Sequence, residues 1–214
     1  MSEHPLIKNC GLQDIDSVDT AIESGARYLG FINHPTSPRH ISSQVAATLT
    51  AHKPTHVQSV AVMVNPSDEE LRRLFQSWRP DILQLHGDET PERMMEIKAR
   101  YYIPIIKAIP IGDKEDLKQL QQFEYLVEAF LFDTKSEHAR GGTGESFDWT
   151  ILENFSLSVP WFLSGGLTAE NVLEALQITH APMVDVSSGI ESTRGVKDLD
   201  KIIAFNETVQ QFKL

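Results

Sequence analysis

Short apolar runs alternate with amphipathic stretches along the whole chain. The runs are Leu6–Cys10, Tyr28–Ile32, Val57–Val64, Ile82–Leu85, Ile103–Ile109, Ala129–Asp133, Trp161–Leu163 and Met183–Val186. They carry β-branched or aromatic residues and are too short for helices, which is the pattern of strands buried on both faces. Between them the spacing turns helical. Ile15, Val18, Ala21 and Ile22 share a face, and Gly25 follows as a stop. Ser67-Asp68-Glu69-Glu70 reads as a capping box ahead of Leu71, Leu74 and Phe75. Thr90-Pro91 starts a further helix with proline in its first turn. Ser164-Gly165-Gly166-Leu167-Thr168 precedes one carrying Val172, Leu173, Ala175 and Leu176, and Leu199, Ile202, Ile203 and Phe205 mark the last. Between the sixth and seventh runs only Trp149, Ile151 and Leu152 suggest a helix.

Eight strand–helix units in 214 residues leave roughly 27 residues per unit, the scale of a compact (β/α)8 barrel. No linker or composition break divides the chain. The expectation is therefore an α/β protein, a single-domain TIM barrel spanning residues 1–214. An open doubly wound sheet would want a glycine fingerprint after an early strand, and Cys10-Gly11-Leu12-Gln13 is not one.

Barrels of this kind keep their chemistry at the C-terminal ends of the strands. Polar residues that end otherwise apolar runs are thus the candidates. Strand side chains alternate faces. In the first run Lys8 and Cys10 point one way and Asn9 the other. A lone cysteine reads first as a small buried thiol; a lysine on its own face also favours thiolate. Gln84 and His86 share a face in the fourth run. Asp133 ends the sixth on the face of Ala129 and Leu131, while Phe130 and Phe132 take the other. Asp185 and Ser187 share a face in the eighth. The alternation sends Cys10, His86, Asp133 and Asp185 toward one barrel mouth.

Gly165-Gly166 after the seventh run and Ser187-Ser188-Gly189 after the eighth fall where such barrels bind phosphate. Pro35-Thr36-Ser37-Pro38-Arg39 is stiffened by two prolines; Arg39 reads either as a solvated surface arginine or as a guanidinium held for bidentate recognition of a carboxylate. Arg140-Gly141-Gly142-Thr143-Gly144 reads as a lid or a flexible connection.

Bulk properties narrow the function further. A net charge of -11 with no basic stripe opposes nucleic-acid binding. No apolar run is long enough for a membrane helix. The N-terminus is polar, so no signal peptide is expected, and the single cysteine forms no internal disulfide; the expected setting is the cytoplasm. No metal is expected. His52 and His56 have helical metal spacing, but Pro54 breaks the helix it needs, and His34 and His40 lack an acidic neighbour.

The strand-end residues occur in an ordered set of motifs. These are Lys8-Asn9-Cys10-Gly11, Gly30-Phe31 with Ser37-Pro38-Arg39, Gln84-Leu85-His86-Gly87 and Phe132-Asp133-Thr134. Gly141-Gly142-Thr143-Gly144 with Phe147-Asp148-Trp149, Ser164-Gly165-Gly166-Leu167 and Asp185-Val186-Ser187-Ser188-Gly189-Ile190-Glu191 follow. In this order, from the first strand to the eighth, the chain resembles the phosphoribosylanthranilate isomerase family of tryptophan biosynthesis. The resemblance implies an Amadori rearrangement of a phosphoribosyl substrate without cofactor or metal. It also implies Cys10 as general base, Asp133 as general acid and Arg39 on the substrate carboxylate. Gly165, Gly166, Ser188 and Gly189 would hold the phosphate, and His86 and Asp185 would line the pocket. The protein would be a monomer or homodimer. Two departures stand out: Asn9 where the family has an apolar residue, and Arg194 before Gly195 where a proline is expected. Asn9 would face the helices and need a hydrogen-bond partner there. A histidine-pathway isomerase with the same chemistry would want an aspartate in place of Cys10. A catalytically silent phosphosugar-binding barrel would leave Cys10 and Asp133 dispensable.

Overall fold

Eight parallel strands pair in chain order and close on themselves in the computed structural model, which describes residues 3–135 and 146–214. They are β1 (Leu6–Cys10), β2 (Tyr28–Ile32), β3 (Gln58–Met63), β4 (Ile82–Leu85), β5 (Ile105–Ile111), β6 (Ala129–Thr134), β7 (Trp161–Leu163) and β8 (Met183–Val186). β1 closes the ring by pairing with both β2 and β8. The predicted (β/α)8 barrel is therefore the fold, with every apolar run supplying a strand.

The helices follow their end signals more closely than their apolar stripes. Helix α1 (Ile15–Glu23) buries Val18 and Ala21, but Ile15 stays exposed, so its apolar face is narrower than predicted. α2 (Ser43–Leu49) has no long stripe and starts on the Ser42 hydroxyl. α3 (Asp68–Ser77) carries the predicted capping box, and α4 (Pro91–Tyr101) opens on Thr90 with proline in its first turn. α5 (Val172–Thr179) and α6 (Leu199–Val209) complete the set. After β5 and β6 the connections are 3-10 helices, Lys114–Gln122 and Trp149–Leu152. The second matches the weak Trp149–Leu152 signal. The first rests on an Asp113–Asp116 capping box.

Core residues form two concentric layers. Val60, Val62, Ile106, Leu131 and Phe162 fill the barrel interior together with Cys10. Outside it, Phe130 and Phe132 are fully buried under the helices, and Phe132 packs on Phe155 and Trp161 with ring centroids 5.7 and 5.2 Å away. Each such aromatic contributes about 1.5–3 kcal/mol by leaving water. Asn9 also enters this outer layer. It finds its partner in Asn206 of α6: the two amides donate to one another at 3.0 Å in each direction. Asn206 also donates to the Ser24 hydroxyl at 2.7 Å. The polar departure is thus satisfied, and it ties β1 to the last helix. No helix among the described residues is long and apolar enough to cross a membrane.

Candidate active site

The ends of the strands open into one cavity of about 330 Å³. Cys10, His86, Asp133 and Asp185 all line it, as the alternation of strand side chains predicts. Arg39, Gly165, Gly166 and Ser188 line it as well. Gly189 does not. It lies in a short 3-10 turn (Ser188–Ile190), where a Cβ would meet the Leu167 carbonyl oxygen at 1.9 Å. Glycine there lets two backbones touch.

Cys10 occupies the β1 wall. Gly30 is its register partner on β2, and a Cβ at Gly30 would lie 2.8 Å from the thiol sulfur. The glycine therefore makes room for the thiol. Below it, fully buried Lys8 donates to Asp185 Oδ1 at 2.6 Å, and Ser164 Oγ donates to Asp185 Oδ2 at 3.0 Å. Register places Lys8 directly opposite Asp185 across the β1–β8 seam. Burial pushes the Cys10 thiol above its ordinary range; Lys8 and Lys197 pull it down, and Asp185 adds to the rise. The lysine does favour thiolate, as its spacing suggests, but desolvation outweighs it. Burial also works against the Lys8 ammonium, yet Asp185 and Cys10 hold its pKa above the usual value.

The facing wall is built from hydrogen bonds instead of charges. Asp133 Oδ1 accepts from the Thr134 backbone amide at 2.9 Å. Its Oδ2 lies 3.2 Å from His86 Nε2, and His86 Nδ1 lies 3.0 Å from the Gln84 amide nitrogen. An amide that donates to Nδ1 leaves the ring hydrogen on Nε2, facing the carboxylate. Gln84 is almost fully buried, and its carbonyl oxygen has no hydrogen-bond partner among the described residues. The loop after β4 is pinned from behind. Glu89 accepts from the Gly87 and Asn65 amides, and buried Lys107 bonds the Gly87 carbonyl at 2.6 Å and Glu89 at 2.9 Å.

Arg39 reaches the cavity from the proline-stiffened loop, but its guanidinium is already partnered. Nε and Nη2 donate to the two oxygens of Glu191 at 2.5 and 2.9 Å. Glu191 lies on β9 (Glu191–Thr193), which forms a hairpin with β10 (Val196–Lys197). The same carboxylate accepts from the Gly195 amide at 3.0 Å and from Lys197 Nζ at 2.9 Å. Burial acts to raise the Glu191 pKa, and these four donors overcome it, bringing it down to about 2.

The glycine loops expose backbone. Gly165 and Gly166 both have positive φ, and a Cβ on Gly165 would strike Thr134 Oγ1 at 2.2 Å. The amides of Gly165, Gly166 and Ser188 have no hydrogen-bond partner among the described residues. They can receive an anion.

Sequence reasoning left several contributors unassigned. Gln84 was visible on the face of His86, while Ser164, Glu191, Lys197 and Arg194 join the site through contacts across the seam or from the hairpin. The predicted lid, Arg140–Gly144, lies outside the described residues. Among the described residues no three histidine, cysteine or acidic side chains gather as a metal site would require.

Comparison with known proteins identifies the family. The family model described as N-(5'-phosphoribosyl)anthranilate (PRA) isomerase matches residues 7–208. The chain is 44% identical over 202 residues to N-(5'-phosphoribosyl)anthranilate isomerase of Paracoccus denitrificans, covering 93% of this chain and 94% of that one. It is similar to the crystal structure of phosphoribosyl anthranilate isomerase from Thermotoga maritima, with a TM-score of 0.87 and 31% identity over 97% of this chain and all of the other. A further phosphoribosyl anthranilate isomerase structure holds reduced 1-(o-carboxyphenylamino)-1-deoxyribulose 5-phosphate; its TM-score is 0.82 at 30% identity, over 97% of this chain and 100% of that one. The chain belongs to the N-(5'-phosphoribosyl)anthranilate isomerase family.

Proposed function

We propose that Cys10 and Asp133 divide the proton transfers of this chain's reaction. The activity is isomerisation of N-(5'-phosphoribosyl)anthranilate in tryptophan biosynthesis. The product is 1-(2-carboxyphenylamino)-1-deoxyribulose 5-phosphate, reached by an Amadori rearrangement. Asp133 gives a proton to the furanose ring oxygen. The bond from C1' to that oxygen breaks as the anilino nitrogen lone pair forms a Schiff base. Cys10 thiolate then takes the C2' proton, its electron pair forms the enolamine, and tautomerisation yields the ketone. Hydrogen moves within one substrate, so the balance needs no redox cofactor.

One observation supports this division of labour above the others. Cys10 on β1 and Asp133 on β6 open into the same cavity from strands that are not neighbours in the ring. A sugar between them meets an acid on one side and a base on the other. His86 holds Asp133 through its Nε2 hydrogen. Asp185 holds Lys8 beneath the thiol. Arg39 takes the substrate carboxylate with Nη1, which has no hydrogen bond among the described residues. Gly165, Gly166 and Ser188 offer their amides to the phosphate, and Gly189 serves that cradle by its close packing. A cytoplasmic setting suits a base that must stay a free thiol, and the enzyme would act as a monomer or homodimer.

The test uses substrate made in situ from anthranilate and followed by its fluorescence. Folded protein should deplete the signal well above the uncatalysed rate. A folded sample with no excess turnover would sink the reading.

A further inference from the structure

The mouth of the cavity carries a cation that the reaction scheme does not use. Among the described lining residues the permanent cations are Arg39 and Arg194. Arg39 spends two donors on Glu191, and Lys8 beneath Cys10 spends its charge on Asp185. Arg194 is exposed, lines the cavity, and has no hydrogen bond or ion pair among the described residues. Its backbone is nevertheless well placed. Gly195 beside it donates to Glu191 at 3.0 Å, and a Cβ on Gly195 would lie 3.0 Å from the Pro38 carbonyl oxygen. The hairpin tip is therefore seated on the loop that carries Arg39.

We propose that Arg194 is a specificity-determining residue that binds the carboxylate of the substrate's aromatic end, sharing it with Arg39. This rests on the substrate assigned above. That substrate carries a carboxylate and a phosphate into a protein of net charge -11. Local cations must supply the attraction, and a guanidinium clamped by glutamate supplies less than an unpaired one. The glycine amides already serve the phosphate, at the ends of β7 and β8. Arg194 instead adjoins Gly195, which is seated on Pro38 and Glu191, and lines the cavity together with Pro38 and Arg39. As the residue lies at the rim and touches no reacting atom, its effect falls on binding.

Arg194→Ala and Arg194→Lys test this, with wild-type turnover as a separate check on the substrate reading. In Arg194→Ala, KM should rise about tenfold, the scale of a lost charged hydrogen bond, while kcat stays within about threefold. Competitive inhibition by anthranilate should weaken in parallel, and inhibition by inorganic phosphate should hold within about twofold. The salt dependence of KM should flatten, and Arg194→Lys should recover part of both effects. Active wild type with an unchanged KM in Arg194→Ala overturns the proposal. A variant that loses phosphate inhibition but keeps anthranilate inhibition overturns the carboxylate assignment. Because Arg194 is exposed, both variants should melt like the wild type, and a lowered melting point with a proportional loss of kcat would instead assign it a structural role.

Discussion

The two walls of the cavity are built by different physics. Around Cys10 the neighbours are ions: Lys8 and Asp185 lie in direct contact, and Lys197 acts from the hairpin. Around Asp133 they are dipoles: a backbone amide and an imidazole oriented by a glutamine. A buried thiol resists ionisation, and only nearby positive charge opposes that. The two donors on Asp133 fix where its carboxyl sits without placing a buried ammonium beside it. Charge tunes the base, and geometry positions the acid.

The largest test of this contrast removes each reacting group. Cys10→Ser and Asp133→Asn should each lower kcat by at least about 100-fold with the fold intact by circular dichroism. Near-normal rates in either would reassign that wall. Next comes Lys8→Met. It leaves Asp185 buried without its partner, so stability should fall by about 3–5 kcal/mol in chemical denaturation. Alkylation of Cys10 at fixed pH should slow as well, because the thiol loses its closest cation. An unchanged alkylation rate in folded Lys8→Met would mean that charge does not tune the base.

The pH profile follows from the same wall. Cys10 acts deprotonated and its pKa is raised by burial, so kcat/KM should climb with pH through the ordinary thiol range. Lys8→Met should carry that limb higher still. On the other wall, Gln84→Leu frees the His86 ring to choose its hydrogen. A loss of about tenfold in kcat, with little change in melting temperature, is the expected result. The smallest effect concerns Glu191. Its pKa falls from 4.5 in the unfolded chain to about 2 in the fold. The stabilisation is therefore present above about 4.5 and disappears as pH drops through about 2. The stability gap between wild type and Glu191→Gln should persist from pH 7 to pH 5 and narrow toward pH 2.

Most of the barrel was legible because strands buried on both faces write themselves as apolar runs. The mouth was legible because alternation fixes which side Cys10, Asp133 and Asp185 take. The 3-10 helix Lys114–Gln122 was not legible, since a capping box without an apolar stripe is a weak signal. Arg39 shows the deeper limit. Its loop announces a rigid guanidinium, but the carboxylate that claims it stands 152 positions later. Spacing reveals neighbours along one element; the barrel seam joins residues that no local pattern connects. Lys8 likewise suggested an activated thiol, and the burial that offsets it is a property of the closed ring.

Closure of that ring also orders events in time. β1 is synthesised well before its second neighbour β8 and before Asn206, the partner of Asn9. Until residue 185 emerges, Lys8 has no counter-ion and the thiol above it has no finished surroundings. The base is therefore made well before the strand that completes its surroundings. A chain cut short of β8 leaves the ring open and Lys8 without its counter-ion.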